Sequence, residues 1–385
     1  MTWLTLRRSR GTPHPYPLPE HGAREQGAHT VQSSPRSRGG DTGEESKHAA
    51  NTPLSGPLPV RGAREQGAHT VRSSPRLRGE DTGEGLERRA RAVRALLVIS
   101  VVLLAAGCRQ VGAISRFSGQ RALGHVKALC DLGPRPVGSE ANLKAGDYIA
   151  RTLEAYGWAV EFQEFGYRGE RIRNIIGKRG AGPVIILGTH YDTRSVADLD
   201  PADRSGAVLG ANDGGSGVAV LLELARVLDR SATEGVEIWL AFFDASDQGE
   251  LSAWPWCVGA REMANTLSVR PEYALVIDMV GDADQCFYYE WSSSLWLLER
   301  VWRIAEDKGY GQHFQAEYRH QLEHDHTPFF QWGIPAAVVI DFDYPYWHTQ
   351  HDTLDKVSAD SLQRIGDVLE TLLEQEPLPG AVEGD

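Results

Sequence analysis

The chain reads as an α/β protein, a three-layer sandwich with a mostly parallel, mixed central sheet. Three observations predict this. Short runs such as PVIILGTH, VEIWLAFFD and IPAAVVIDF are apolar at nearly every position, as strands covered on both faces are. Between them lie longer segments whose apolar residues recur at helical spacing. Polar, glycine-rich clusters follow the strands, at the strand ends where sheets of this kind collect their chemistry.

The elements follow in order from about Gly133. In SEANLKAGDYIARTLEAYGW the apolar residues Ala145, Ile149, Leu153 and Tyr156 form one helical stripe, with Ser139 as its cap. WAVEFQEF alternates and reads as a strand. RIRNIIG and PVIILGTH are short apolar runs, the second a central strand, and SGVAVLLELARVL is a helix of small and apolar residues. VEIWLAFFD, EYALVIDMVG and the shorter QCFYYE read as strands, SSLWLLERVWRIAEDKGY as a helix, and IPAAVVIDF as a strand. SADSLQRIGDVLETLLEQE, capped by Ser358, closes the pattern with a helix.

The N-terminal region differs in kind. A near-identical tract starts at Gly22 and again at Gly62, an offset of 40, in surroundings rich in Pro, Gly, Ser and charge. Without an apolar face such a segment cannot offset the entropy of ordering it. Residues 1–87 are therefore expected to be disordered, or to be upstream sequence preceding the true translation start. Arg88, Arg89, Arg91 and Arg94 then precede thirteen apolar or small residues, Ala95 to Gly107, ending at Cys108. This is the pattern of an export signal and is short for a membrane span. Small residues before a cysteine resemble a bacterial lipoprotein cleavage site, which implies lipidation of Cys108 and anchoring to the cell envelope. A signal anchor, or secretion to the periplasm or beyond, is the alternative. A linker is expected over 109–119, the domain over 120–376 and a flexible tail over 377–385.

Residues 1–108 carry 16 Lys and Arg against 10 Asp and Glu, leaving 24 against 42 in the remainder. A body with a net charge of −18 disfavours nucleic acid as a partner. Cys130, Cys257 and Cys286 lack zinc-ligand spacing, and an odd number in an exported domain leaves one unpaired.

Five segments place metal-ligating side chains after strands: GTHYD (His190, Asp192), GANDGGSG (Asp213), FFDASD (Asp244, Asp247), VIDMVG (Asp278) and PYWHTQHD (His348, His351, Asp352). Two imidazoles with three carboxylates suit zinc, and one carboxylate is able to bridge two ions. Paired metals activate a shared water for attack on a carbonyl. Trp254, Trp256, Tyr344, Tyr346 and Trp347 either line a substrate pocket or pack loops over the sheet edge. Glu250, Asp325 or Glu290 is positioned in sequence to hold a substrate amine.

The segments LGPRPVGSEANLKAGDYIARTLEAYGW, GTHYDT, GANDGGSGVAVLLELARVL, FFDASDQGE, VIDMVGD, DHTPFFQWGIPAAVVI and WHTQHDTLDKVS resemble, in this order, the M28 zinc aminopeptidases and the related animal-type glutaminyl cyclases. The resemblance implies one or two zinc ions, with His190, Asp247, Asp278 and His348 as ligands, Asp213 bridging and Asp192 orienting the His190 ring. It also implies a glutamate general base just before Asp247, where this chain has Ser246. A serine hydroxyl does not take a proton near neutral pH, so Glu250 or Asp325 is expected to replace it, or the domain binds metal or peptide without catalysis. The activity implied first is removal of the N-terminal residue from peptides. Cyclisation of an N-terminal glutamine is the alternative, and both act on peptide or protein N-termini.

Overall fold

The computed structural model describes residues 115–228 and 234–375. The repeated tract, the export signal, Cys108 and the expected tail lie outside the described residues. In chain order the longer elements are α1 (Gly119–Cys130), α2 (Glu140–Ala155), β1 (Ala159–Tyr167), β2 (Glu170–Gly180), β3 (Val184–His190), α3 (Ser216–Val227), β4 (Glu237–Phe243), α4 (Val258–Thr266), β5 (Tyr273–Asp278), β6 (Phe287–Glu290), α5 (Leu295–Asp307), β7 (Phe314–His320), α6 (Thr327–Gln331), β8 (Ala336–Ile340) and α7 (Ala359–Gln375).

Six strands form one sheet in the order β1-β2-β4-β3-β5-β8. The pairings β4 with β3, β3 with β5 and β5 with β8 are parallel, whereas β2 is antiparallel to both β1 and β4. The sheet is thus mostly parallel and mixed, as the apolar runs predict. Alternate side chains of the buried strands divide the core between its faces. Ile185, Leu187, Leu275, Ile277, Ala337 and Val339 pack with apolar residues of α1, α2, α3, α5 and α7. Val184, Ile186, Ala274, Val276, Ala336 and Val338 pack with residues of α4 and α6 on the other side. Helices on both faces make the three layers.

Some elements escape the sequence pattern. Helix α1 carries a short stripe, Ala122, Val126 and Leu129, that charged neighbours obscure. The expected linker over 109–119 is corrected for its described part: Phe117 is buried in the core, Ser118 caps α1, and Ser115 donates to the Glu370 carboxylate at 2.7 Å. Strand β7 is mostly exposed and pairs with β6 in a separate two-stranded sheet, so no alternation marks it. Helices α4 and α6 are too short to show a period.

The fold brings the ligand-type residues to one edge. His190 ends β3 and Asp278 ends β5, while Asp213 precedes α3 and Asp247 and His348 lie in the loops after β4 and β8. Two glycines permit the close approach. Gly214 has φ +74°, and a Cβ there would lie 2.4 Å from the Asp192 carbonyl oxygen. At Gly217 a Cβ would lie 2.1 Å from Thr189 Oγ1, so α3 rests directly on the strand that carries His190.

Candidate active site and metal centre

His190 Nε2 lies 3.1 Å from Asp213 Oδ1 and 3.3 Å from Asp278 Oδ1. His348 Nε2 lies 2.9 Å from Asp247 Oδ1 and 3.7 Å from Asp213 Oδ2. Two groups of ligand atoms result, His190–Asp213–Asp278 and Asp213–Asp247–His348, each with its atoms within 4.8 Å of one another and Asp213 common to both. All five residues are buried. Asp213 Oδ2 and Asp247 Oδ2 are buried with no hydrogen-bond partner. Acceptors without donors among converging carboxylates and imidazoles fit a divalent cation.

Electrostatics gives the same account. Burial pushes the carboxyl of Asp213 up to about 6 and that of Asp247 up to about 8, each further raised by neighbouring aspartates. Burial lowers the His348 imidazole to about 4. At His190 burial opposes protonation, but Asp278, Asp192 and Asp213 outweigh it and hold the ring well above its ordinary value.

Two further carboxylates shape this cluster by clamping backbone. Asp192 accepts the N–H groups of Ser246 (3.0 Å) and Asp247 (3.1 Å), one on each oxygen. Asp352 accepts those of Asn212 (2.9 Å) and Asp213 (3.1 Å) in the same manner, and the Tyr344 hydroxyl donates to it at 2.8 Å. Asp192 Oδ1 also lies 3.5 Å from His190 Nδ1, whose shorter contact, at 3.2 Å, is to the Asp192 backbone carbonyl. The Arg135 guanidinium, fully buried in the LGPRP turn, donates to the carbonyls of Tyr191, Leu209 and Gly210. It ties the loop after β3 to the loop before α3. Asp244 faces away from this cluster and accepts from Asn142 Nδ2 and Arg173 N. His351 is exposed.

A family model described as peptidase family M28 matches residues 174–373, just over half of the chain. The chain belongs to peptidase family M28. It is 28% identical over 282 residues to a glutaminyl-peptide cyclotransferase of Bothrops jararaca, covering 59% of this chain and 74% of that relative. Among solved structures it is similar to a glutaminyl cyclase of Porphyromonas gingivalis, at 31% identity and a TM-score of 0.64, covering 68% of this chain and 99% of that one. It is also similar to a zinc-dependent exopeptidase of Parabacteroides distasonis, at 30% identity and a TM-score of 0.63, covering 69% and 100%.

The ligand cluster of this M28 chain opens onto a cavity of about 290 Å³. Ser246, where the family resemblance places a glutamate, lines it, and the Ser246 hydroxyl donates to Asp325 Oδ1 at 2.7 Å. Asp325 lines it too, is buried, and keeps its Oδ2 without a partner. Burial raises the Asp325 carboxyl above its ordinary value. Glu250 lies on the wall as an exposed residue at φ +65°. Of the two residues expected to replace the missing glutamate, Asp325 is the one bonded to Ser246.

Trp256 and Trp347 line the cavity and face the His348 ring at centroid separations of 6.0 and 3.9 Å. Trp254 and Tyr346 are corrections. The left-handed turn at Glu250, closed by Glu250 N donating to Trp254 O, directs Trp254 away to pack edge-on against Tyr167. Tyr346 packs against Tyr344 and under the Lys356 ammonium. Glu290 is not free to hold a substrate amine. It is fully buried and accepts from Ser292, Ser293, Leu322 N and His326.

Sequence reasoning assigned no role to His324, whose Nε2 lies 3.1 Å from Asp278 Oδ2. It also missed Arg194 and Asp198 beside His348. The signal was available only as proximity in EHDHTPFF and GTHYDTRSVAD. Cys130, Cys257 and Cys286 are all free thiols, and Cys257 is buried in the cavity wall.

Proposed function

We propose that this M28 chain is a glutaminyl cyclase, converting an N-terminal glutamine of peptides or proteins into a pyroglutamyl ring with release of ammonia. The sequence resemblance implied hydrolysis of the N-terminal peptide bond first and cyclisation second. The relatives favour the second.

The observation that carries the reading is the Ser246–Asp325 hydrogen bond in the cavity wall beside the ligand cluster. Hydrolysis relies on a carboxylate at position 246 to strip a proton from water, where this chain has Ser246 and leaves proton transfer to the neighbouring Asp325. Cyclisation brings its own nucleophile, the substrate α-amine, held in the same molecule as the carbon it attacks and favoured by proximity. A zinc ion held by Asp213, Asp247 and His348, with His190 and Asp278 able to hold a second, would polarise the side-chain amide carbonyl. Asp325 takes a proton from the attacking amine as the new N–C bond forms, and returns it to the amide nitrogen as the old C–N bond breaks. Atoms balance, because the amine proton leaves with the ammonia. Ser246 holds one oxygen of Asp325 and leaves the other free. Trp256, Trp347, Ile340 and Phe342 give the cavity its apolar walls.

One observation favours exopeptidase chemistry as a second reading: both ligand groups are complete and share Asp213, as a two-metal water-activating site requires. Peptides beginning with Gln, Leu, Ala or Ser, incubated with the zinc-loaded protein and read by mass spectrometry, separate the two. Loss of ammonia from the Gln peptide alone is the expected result. Release of the first residue from the others would replace cyclisation with hydrolysis, and unchanged peptides would exclude both. We further propose that the chain acts outside the cytoplasm, held to the envelope by lipidated Cys108, on the motif that ends at that residue.

A further inference from the structure

The loop after β3 does more than deliver His190. Four residues beyond that ligand, Arg194 is buried in the middle of a set of contacts that all converge on the other ligand group. Its Nε and one terminal nitrogen donate to the two oxygens of Asp198, each at 2.6 Å. The remaining nitrogen donates to the backbone carbonyls of Asp247 (3.1 Å) and Gly249 (2.9 Å). The face of the guanidinium lies 5.0 Å from the centre of the Trp256 ring. One planar cation thereby fixes the backbone of a metal-ligand residue, a carboxylate and an indole.

Each of those partners in turn touches His348. Trp256 stacks on its ring at an interplanar angle of 15°. Asp198 Oδ1 faces its Nδ1 at 3.6 Å, beyond hydrogen-bond length and close enough for a directed charge interaction. Leu199 N, next in the chain, donates to the His348 carbonyl at 3.3 Å. His348 itself has φ +56°, a left-handed conformation that a residue with a side chain holds only when its surroundings enforce it. A carboxylate on the Nδ1 side favours the tautomer with its proton there, leaving the Nε2 lone pair, the atom 2.9 Å from Asp247, for a metal.

We infer that Arg194 and Asp198 form a positioning pair for the Asp213–Asp247–His348 ligand group, setting the tautomer of His348 and the backbone of Asp247 for zinc. This rests on reading those residues as metal ligands. The pair also ties the two groups together, since Arg194 lies in the loop that leaves β3 directly after His190.

The test is zinc affinity of the full chain, measured by competition with a chromophoric chelator, together with the melting temperature of the metal-free protein. Asp198→Asn removes the charge without changing size, on a half-exposed residue. Arg194→Lys keeps the charge and loses the fork. Both should weaken zinc binding about 10- to 100-fold at a temperature where the metal-free variant is still folded, beyond any fall in the metal-free melting temperature that loosening the buried Arg194 brings. Binding equal to the unaltered chain in both variants overturns the inference. So does a lowered metal-free melting temperature with unchanged zinc affinity well below it, which marks a merely structural role. If the unaltered chain itself binds no zinc, the ligand reading fails and takes this inference with it; the first two outcomes leave that reading standing.

Discussion

Replacing Asp325 by asparagine isolates proton transfer from every other feature of the site. The side chain keeps its size, and its amide oxygen still accepts the Ser246 hydroxyl that now lies 2.7 Å from Oδ1. The ligand cluster is untouched. A positioned acid–base group is worth about 10²- to 10⁴-fold in rate, which is about 3–5 kcal/mol in the barrier. Asp325→Asn should therefore lower kcat for a Gln peptide by that factor with little change in KM, followed by coupled detection of ammonia. The pH profile adds a second readout. Burial raises the Asp325 carboxyl, and the ionised form is the one that accepts the proton. The unaltered enzyme should thus lose activity on acidification at a pH above the ordinary carboxylate range, and the variant should lack that limb. Stability moves the other way. A carboxyl raised in the folded state contributes stability that is complete at acid pH and lost as pH rises through its folded pKa. Removing it should raise the melting temperature of the metal-free protein at neutral pH. A variant that retains kcat to within about tenfold would refute Asp325 as the proton carrier.

Three other outcomes follow from the same structure. Stripping zinc with a chelator should lower the melting temperature, because a ligand present at a thousandfold excess over its Kd stabilises by about 4 kcal/mol; an unchanged thermal transition on adding zinc back would contradict the metal reading. Ser246→Glu should introduce release of the first residue from Leu and Ala peptides, since a carboxylate beside Asp247 supplies the missing water-activating base at a gain of about 10²-fold or more. No release from the zinc-loaded variant would mean that the cavity is not shaped for water attack. Cys108→Ser should move the protein from the membrane to the soluble fraction after cell fractionation, and retention on membranes would exclude a lipid anchor at that residue.

Much of the candidate site was legible because its ligand-type residues are carried by short motifs tied to strand ends. His190 and Asp278 close apolar runs, and the glycines of GANDGGSG announce the close packing around Asp213. The aromatic residues were legible only as a set. Whether Trp254 or Trp256 reaches the cavity depends on a loop with left-handed residues at Glu250, Ser252, Ala253 and Cys257, and none of these residue types gives warning of positive φ. Glu290 likewise reads as an available carboxylate in the sequence, whereas in the fold five donors surround it.

The sequence by itself determined the layered α/β architecture, the family and the five candidate ligand residues that the fold brings together. Apolar periodicity and strand-end punctuation are local properties, expressed within a few residues of where they act. Only the tertiary structure decided which carboxylate lies against Ser246 and which groups clamp the candidate ligand residues. Asp325 lies 79 positions from Ser246, Asp352 lies 139 from Asp213, and Asp247 is 53 from Arg194. No periodicity links such pairs. They meet because parallel strands end side by side, and the loops that leave those ends fold onto one another.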